Sequence, residues 1–98
     1  MIDGIYEASL KTPMGVIQGE IGLETKNGVV NASIQTMGMK NTFQNGKLMG
    51  NRFSFSGDLA TPFGRYSYEA IGEVRENELQ LNIQTKQGNW IIEGKRKN

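Results

Sequence analysis

The sequence predicts an all-β protein, an eight-stranded antiparallel barrel of the up-and-down kind. Three observations predict it: stretches in which apolar and polar residues alternate, short glycine-containing breaks between them, and an internal repeat. Alternation with a period of two is typical of a strand with one buried face. No segment shows the i, i+3, i+4, i+7 spacing of an amphipathic helix, so little or no helix is expected.

The breaks between the strands contain residues that favour tight turns. Glycine makes up 13 of the 98 residues and proline only two. Glycine and asparagine tolerate the left-handed conformation of hairpin turns, and proline fixes the first central position of a type I turn. The predicted turns are Thr12–Gly15, Asn27–Gly28, Thr36–Met39, Asn45–Lys47, Thr61–Gly64, Arg75–Glu78 and Thr85–Gly88.

Alternation assigns one face of each strand to the interior of the barrel. Successive side chains of a strand point to opposite faces, so every second residue belongs to the same side. In chain order, the predicted interior set includes Tyr6, Ala8, Leu10, Ile17, Gly19, Ile21, Leu23, Val30, Ala32, Ile34, Phe43, Phe53, Phe55, Gly57, Leu59, Tyr66, Tyr68, Ala70, Gly72, Leu79, Leu81, Ile83, Trp90, Ile92 and Gly94.

The internal repeat supports the strand count. Thr12-Pro13-Met14-Gly15 recurs 49 residues later as Thr61-Pro62-Phe63-Gly64, and the same shift lays Ile34-Gln35-Thr36 onto Ile83-Gln84-Thr85. Two four-stranded repeats, approximately 4–49 and 53–98, are each too short to bury an apolar face alone, so residues 1–98 form one domain. Closing the sheet removes both unpaired edges, whereas a two-sheet sandwich with the same strand order is the alternative.

Composition and charge exclude several classes of function. Eleven Lys and Arg against ten Asp and Glu give a net charge of +1, too little to neutralise a nucleic acid backbone. The absence of Cys and His excludes disulfides, the usual zinc sites and His-based catalysis, so no metal and no cofactor is predicted. The first four residues lack the features of a secretory leader and no apolar run reaches membrane-spanning length, so we expect a cytoplasmic protein without membrane insertion.

The predicted interior is nearly uncharged, which argues against an enzyme. General acid–base catalysis needs a titratable group beside the substrate, and only the phenols of Tyr6, Tyr66 and Tyr68 are available there. A tyrosine acid stays open as a minor alternative. The strand phase places these charged residues outside: Glu7, Lys11, Glu20, Glu24, Lys40, Asp58, Arg65, Glu69, Glu73 and Glu93.

Aromatic and small residues share the predicted interior face. An eight-stranded barrel is just wide enough to be filled by side chains or to hold one small ligand, and both outcomes stay open. In the first, the rings fill the space left by the glycines and alanines; in the second, the small residues outline an apolar pocket. The candidate ligand-binding residues are Phe43, Phe53, Phe55, Tyr66, Tyr68 and Trp90.

The two ends of the predicted barrel differ in polarity. One rim carries Met14, Met37, Met39 and Phe63, which we interpret as a ligand entrance or a partner contact, or alternatively as a plug folded back into the barrel. The other end is charged.

At the charged end, the strand phase points Arg96 inward beside Tyr6. A guanidinium there would stack on the phenol ring and close the barrel floor. A frayed basic tail over residues 95–98 is the alternative.

Gly4-Ile5-Tyr6 on the first strand, with an inward Arg96 on the last, resembles the floor signature of the calycins, the lipocalin-like barrels. Tyr6 stands where lipocalins usually have Trp, and the chain is far shorter than theirs. Over nearly its whole length, through the Thr-Pro-Met/Phe-Gly hairpins and the closing Gly94-Lys95-Arg96, the sequence is similar to a small bacterial domain. That domain occurs alone or appended to metal-dependent hydrolases and NADH:flavin oxidoreductases. The resemblance implies a calycin-like barrel and an accessory role beside a redox enzyme, and it transfers no catalytic residue.

Two hypotheses of different classes follow. The first is a non-enzymatic module that binds a small, uncharged, apolar or aromatic ligand through the methionine-containing rim. The second is a protein–protein interaction or oligomerisation module with a solid core, whose apolar rim docks on a flavoenzyme or on a second copy of the chain.

Overall fold

A computed structural model of the chain describes residues 2–12, 15–36, 38–61, 64–86 and 88–97. The eight strands form one closed antiparallel barrel in which neighbours in the sequence pair and β8 returns to β1. The predicted up-and-down barrel is therefore confirmed, and the two-sheet sandwich is wrong. The strands are β1 (Gly4–Thr12), β2 (Gly15–Lys26), β3 (Val29–Thr36), β4 (Met39–Met49), β5 (Arg52–Thr61), β6 (Gly64–Arg75), β7 (Glu78–Thr85) and β8 (Gly88–Arg96).

The core lies inside the barrel on the face that alternation predicts. No charged or polar residue in the described ranges is buried, and the pleat sends the acidic side chains of the strands outward. Glu73, for example, forms ion pairs on the outer wall with Arg52 and Arg75. The buried residues are Ile2, Tyr6, Ala8, Ile21, Leu23, Val30, Phe53, Phe55, Ala70, Val74, Leu79, Leu81 and Ile92.

One predicted turn is wrong. Asn45-Gly46-Lys47 lies within β4, and the chain reverses later, at Gly50-Asn51. The ladder between β3 and β4 shifts at this point, because Val30 pairs with Gly46 whereas Ala32 pairs with Phe43. Asn45 has a φ of 65°, in the left-handed region that asparagine tolerates. This conformation forms a β-bulge within β4 rather than a hairpin turn. The bulge brings both Phe43 and Leu48 into contact with the core, although their residue numbers differ in parity.

The bulge is followed by an incomplete ladder between β4 and β5. These strands pair only next to their turn, from Lys47 with Ser54 to Met49 with Arg52. Beyond it, residues 40–43 of β4 pair with β3, and residues 55–58 of β5 pair with β6. The described residues thus leave an unladdered stretch between β4 and β5, which we call the seam.

Candidate functional site

The interior face is buried at one end of the barrel and accessible at the other. On β7, Leu79 is 2% exposed and Leu81 is 5% exposed, whereas Ile83 is only half-buried. On β8, Ile92 is 8% exposed and Trp90, on the same face, is 48% exposed. The end that carries the β7–β8 connection is therefore the open end, and the opposite end is the floor.

The floor is closed by residues 2–3, which precede β1, and by Arg96 at the end of β8. The buried Tyr6 hydroxyl donates a hydrogen bond of 2.8 Å to the carbonyl of Ile2, which itself is buried. The guanidinium carbon of Arg96 lies 5.3 Å from the centroid of the Tyr6 ring, and its Nη1 donates to the carbonyl of Asp3 at 2.9 Å. Burial raises the pKa of the Tyr6 phenol, against the opposing effect of Arg96. The two predicted floor residues thus lie together and cover the core.

Asp3 fastens the same segment to the barrel wall. Its carboxylate accepts hydrogen bonds from the hydroxyl of Thr25 at 2.6 Å and from the backbone N–H of Thr25 at 2.9 Å. These bonds, the side-chain one first, hold the pKa of Asp3 below its ordinary value of 3.8. Ile2 and Asp3 are therefore held beneath the interior.

Four aromatic rings run from the floor to the seam. The ring centroids of Phe53 and Phe55 lie 5.9 Å apart, those of Phe55 and Phe43 lie 6.2 Å apart, and those of Phe43 and Tyr68 lie 5.6 Å apart. Tilted and edge-to-face arrangements at such distances are favourable aromatic contacts. Phe53 and Phe55 are buried, whereas Phe43 and Tyr68 are partly exposed, so the accessible part of this aromatic series is its seam end.

The interior glycines divide into filled and unfilled positions. A Cβ atom at Gly72 would stand 2.2 Å from Cζ of Phe53, and one at Gly46 would stand 2.6 Å from Cε1 of Phe55, so these rings already occupy the space above the two glycines. At Gly57 the nearest atoms belong to Tyr68 at 3.6 Å, an ordinary contact distance. Gly57 is therefore the interior glycine next to the seam that no ring covers tightly.

The Tyr68 hydroxyl is a polar group next to Gly57. It has no hydrogen-bond partner among the described residues, in contrast to the hydroxyl of Tyr6. Burial raises the pKa of the Tyr68 phenol, so it stays neutral and can donate its proton in a hydrogen bond at neutral pH.

The predicted ligand-binding residues thus lie in three different parts of the barrel. Phe53 and Phe55 belong to the buried core, Phe43 and Tyr68 border the seam, and Trp90 stands at the open end. The predictions for Met14, Met37 and Phe63, and those for the side chains of Met39 and Tyr66, lie outside the described residues. Sequence reasoning missed the seam, although the apolar phase changes from Phe43 to Leu48, which is a signal for a bulge.

The outer wall has features of a different kind. A groove of about 1090 Å³ crosses it and is lined by both acidic and basic side chains, among them Glu7, Glu93, Arg75 and Lys95. No metal-binding cluster of His, Cys, Asp or Glu occurs in the described part of the chain. The described ranges also contain no helix with the length and apolarity to cross a bilayer.

The fold and its accessible interior define a small eight-stranded antiparallel β-barrel. Two solved structures are similar to it. A protein of Bacteroides fragilis NCTC 9343, provisionally named an outer membrane protein, superimposes with a TM-score of 0.64 at 19% identity over 99% of this chain and 44% of its own. A de novo designed fluorescence-activating β-barrel superimposes with a TM-score of 0.60 at 13% identity over 97% of this chain and 93% of its own.

At these identities the likeness shows the fold alone, and the chain spans less than half of the Bacteroides protein. No protein-family model and no curated protein matches the sequence. The calycin-like resemblance and the association with NADH:flavin oxidoreductases therefore stay predictions.

Proposed function

We propose that the protein is a non-enzymatic barrel that binds a small, uncharged, apolar or aromatic molecule through its open end. The observation that carries the proposal is the gradient of exposure along one interior face, from Leu79 at 2% to Trp90 at 48%. A solid core with no role in binding would need no such asymmetry, because apolar side chains at both ends would gain from burial.

The chemistry of the open end supports an uncharged ligand. The interior-facing side chains described there are apolar, aromatic or hydroxyl-bearing, and the nearby acidic groups lie on the outer wall. An unpaired charge brought against such a surface would lose hydration without gaining a partner. A barrel of this size is also compatible with holding a small molecule, and the designed neighbour is described as fluorescence-activating.

The test uses N-phenyl-1-naphthylamine, an uncharged apolar fluorophore, with the full chain. Binding should increase its emission, and the amide NMR signals of Ile83, Phe43 and Trp90, together with the methyl signals of Ile83, should shift during the titration. Signals of Val30 and Leu79 at the floor serve as the internal control and should shift least. If emission and the open-end signals stay unchanged at saturating probe, the proposal is wrong.

The anionic analogue 8-anilinonaphthalene-1-sulfonate provides a matched probe. Since the interior-facing side chains described at the open end are apolar, aromatic or hydroxyl-bearing, the anionic probe should bind more weakly than the uncharged one. Tighter binding of the anion would contradict an uncharged-ligand site.

A further inference from the structure

The seam is the part of the barrel wall that side chains, rather than a backbone ladder, hold together. Residues 40–43 of β4 and 55–58 of β5 pair with β3 and β6 but not with each other. Phe43 and Phe55 contact one another across this stretch, with ring centroids 6.2 Å apart. Ring contacts can be displaced one at a time, whereas opening a backbone ladder breaks several hydrogen bonds at once. Side chains at the seam can therefore make room for a small molecule without the loss of a ladder.

Gly57 permits a side-chain contact across β5. Tyr68 on β6 pairs with Gly57, and its ring reaches Phe43 on β4 at a centroid distance of 5.6 Å. A Cβ atom at Gly57 would lie 3.6 Å from this ring, at contact distance, so a side chain longer than alanine would compete with the ring for the same space. One position on the interior side of the seam is thus surrounded by residues of three successive strands. These residues are Phe43, Gly57 and Tyr68.

Two properties of this place indicate the class of molecule that fits it. The faces and edges of Phe43 and Tyr68 favour a planar aromatic group. The Tyr68 hydroxyl, which has no partner among the described residues, can donate one hydrogen bond to a neutral acceptor.

We infer that the seam is the binding subsite for a planar aromatic ligand that carries a neutral hydrogen-bond acceptor such as a ketone oxygen. Tyr68 selects this ligand by donating a hydrogen bond to the acceptor, and Gly57 provides the space for the ring. The inference rests on the proposed function and names its ligand class and two specificity-determining residues.

The experiment measures the affinities of two uncharged naphthalene probes by fluorescence titration. One is 6-propionyl-2-dimethylaminonaphthalene, which carries a ketone, and the other is N-phenyl-1-naphthylamine, which carries none. The variants are Gly57→Leu, Ser56→Leu and Tyr68→Phe in the full chain. Ser56 is the matched control, because it adjoins Gly57 on β5, faces the outer wall and is exposed.

Wild type should bind both probes. Gly57→Leu should weaken both by about tenfold or more, since the new side chain occupies the space of the ring, whereas Ser56→Leu should leave both affinities unchanged. Tyr68→Phe should weaken the ketone probe by about three- to tenfold, as expected for one lost hydrogen bond, and leave the other probe unaffected.

Several results would overturn the inference. If both probes bind wild type and Gly57→Leu with equal affinity, the ligand lies elsewhere in the barrel, and the proposed function survives without the seam. If Tyr68→Phe weakens both probes equally, the hydroxyl does not select the ligand. If neither probe binds wild type, the proposed function fails as well.

A second glycine variant covers the case in which Gly57→Leu does not fold. Gly57→Ala adds one methyl group at an ordinary contact distance from Tyr68, so the barrel should be retained. It should weaken both probes by about twofold to threefold, and an unchanged affinity for both would contradict the role assigned to Gly57.

Discussion

The floor and the open end of this barrel are built from the same alternating strands, yet they differ in what covers them. At the floor, Ile2, Asp3 and Arg96 add hydrogen bonds and a cation–π contact beneath the ring of Tyr6. At the open end, Trp90 is half-exposed, and β4 and β5 run without a mutual ladder. The difference teaches that strand alternation determines which side chains face inward, whereas additional segments determine whether the interior is closed.

The largest contrast is expected between two phenylalanines of the same aromatic series. Phe53→Ala removes a side chain that is 2% exposed and leaves a cavity at the floor, so it should destabilise the protein by about 3–5 kcal/mol. Phe43→Ala at the seam should cost roughly half of that or less, because water already reaches this ring. Urea unfolding followed by circular dichroism measures both, and equal losses of stability would contradict the distinction between the two ends.

Glycine-to-alanine substitutions provide the next contrast. Gly72→Ala would place a methyl group within the ring of Phe53, which the packed floor can accommodate only by moving that ring, so a loss of about 1–3 kcal/mol is expected. Gly57→Ala meets only ordinary contacts and should change the free energy of unfolding by less than about 0.5 kcal/mol. A larger loss of the free energy of unfolding for Gly57→Ala than for Gly72→Ala would contradict this expectation.

Residues of β4 show how far sequence reasoning reaches. Alternation correctly predicts the eight strands and their interior faces, because a buried face requires a residue of the right polarity at every second position. The turn predicted at Asn45-Gly46 is wrong, because an Asn-Gly pair indicates that the backbone can adopt the left-handed conformation. It does not indicate whether the chain reverses there. The seam depends on where β4 stops pairing with β5. This pairing is limited to Lys47–Met49, after the bulge, and the local residue pattern does not determine that limit.

Trp90 shows a second limit of prediction from the sequence. Its phase on β8 places it on the face of Ile92, but phase carries no information about depth along the barrel axis. Its exposure follows from its distance from the floor, which only the three-dimensional arrangement provides.

A smaller contrast separates the two tyrosine hydroxyls. Tyr6→Phe removes a buried hydrogen bond to the carbonyl of Ile2 and should cost about 0.5–1.5 kcal/mol, or more if that carbonyl finds no other donor. Tyr68→Phe removes a hydroxyl that has no partner among the described residues, and stability should be unchanged within error. A greater loss for Tyr68→Phe would show that its hydroxyl already serves the fold.

The smallest effect is expected from the pH dependence contributed by Asp3. Because the hydrogen bonds from Thr25 lower its pKa in the folded state, its stabilising contribution is present above the ordinary value of 3.8 and is lost as the pH falls through the lower, folded-state pKa. Asp3→Ala should therefore reduce the loss of stability as the pH falls from about 5 through the folded-state pKa, although solvent screening keeps the effect small.

Thr25→Val is the control for this effect, since it removes the hydroxyl that bonds to Asp3 and retains a similar shape. It should reduce the acid-induced loss in the same direction, measured as the free energy of unfolding at several pH values. An acid-induced loss that both variants leave intact would assign the pH dependence to other carboxylates.

Thiol labelling of single-cysteine variants tests most directly whether the interior is closed at the floor and accessible at the opposite end. The natural chain contains no cysteine, so Leu79→Cys and Ile83→Cys each place one reactive group on the same face of β7. Under native conditions N-ethylmaleimide should modify the thiol of the Ile83→Cys variant at least about tenfold faster than that of the Leu79→Cys variant, which must wait for local opening. Equal rates at the two positions would contradict the account.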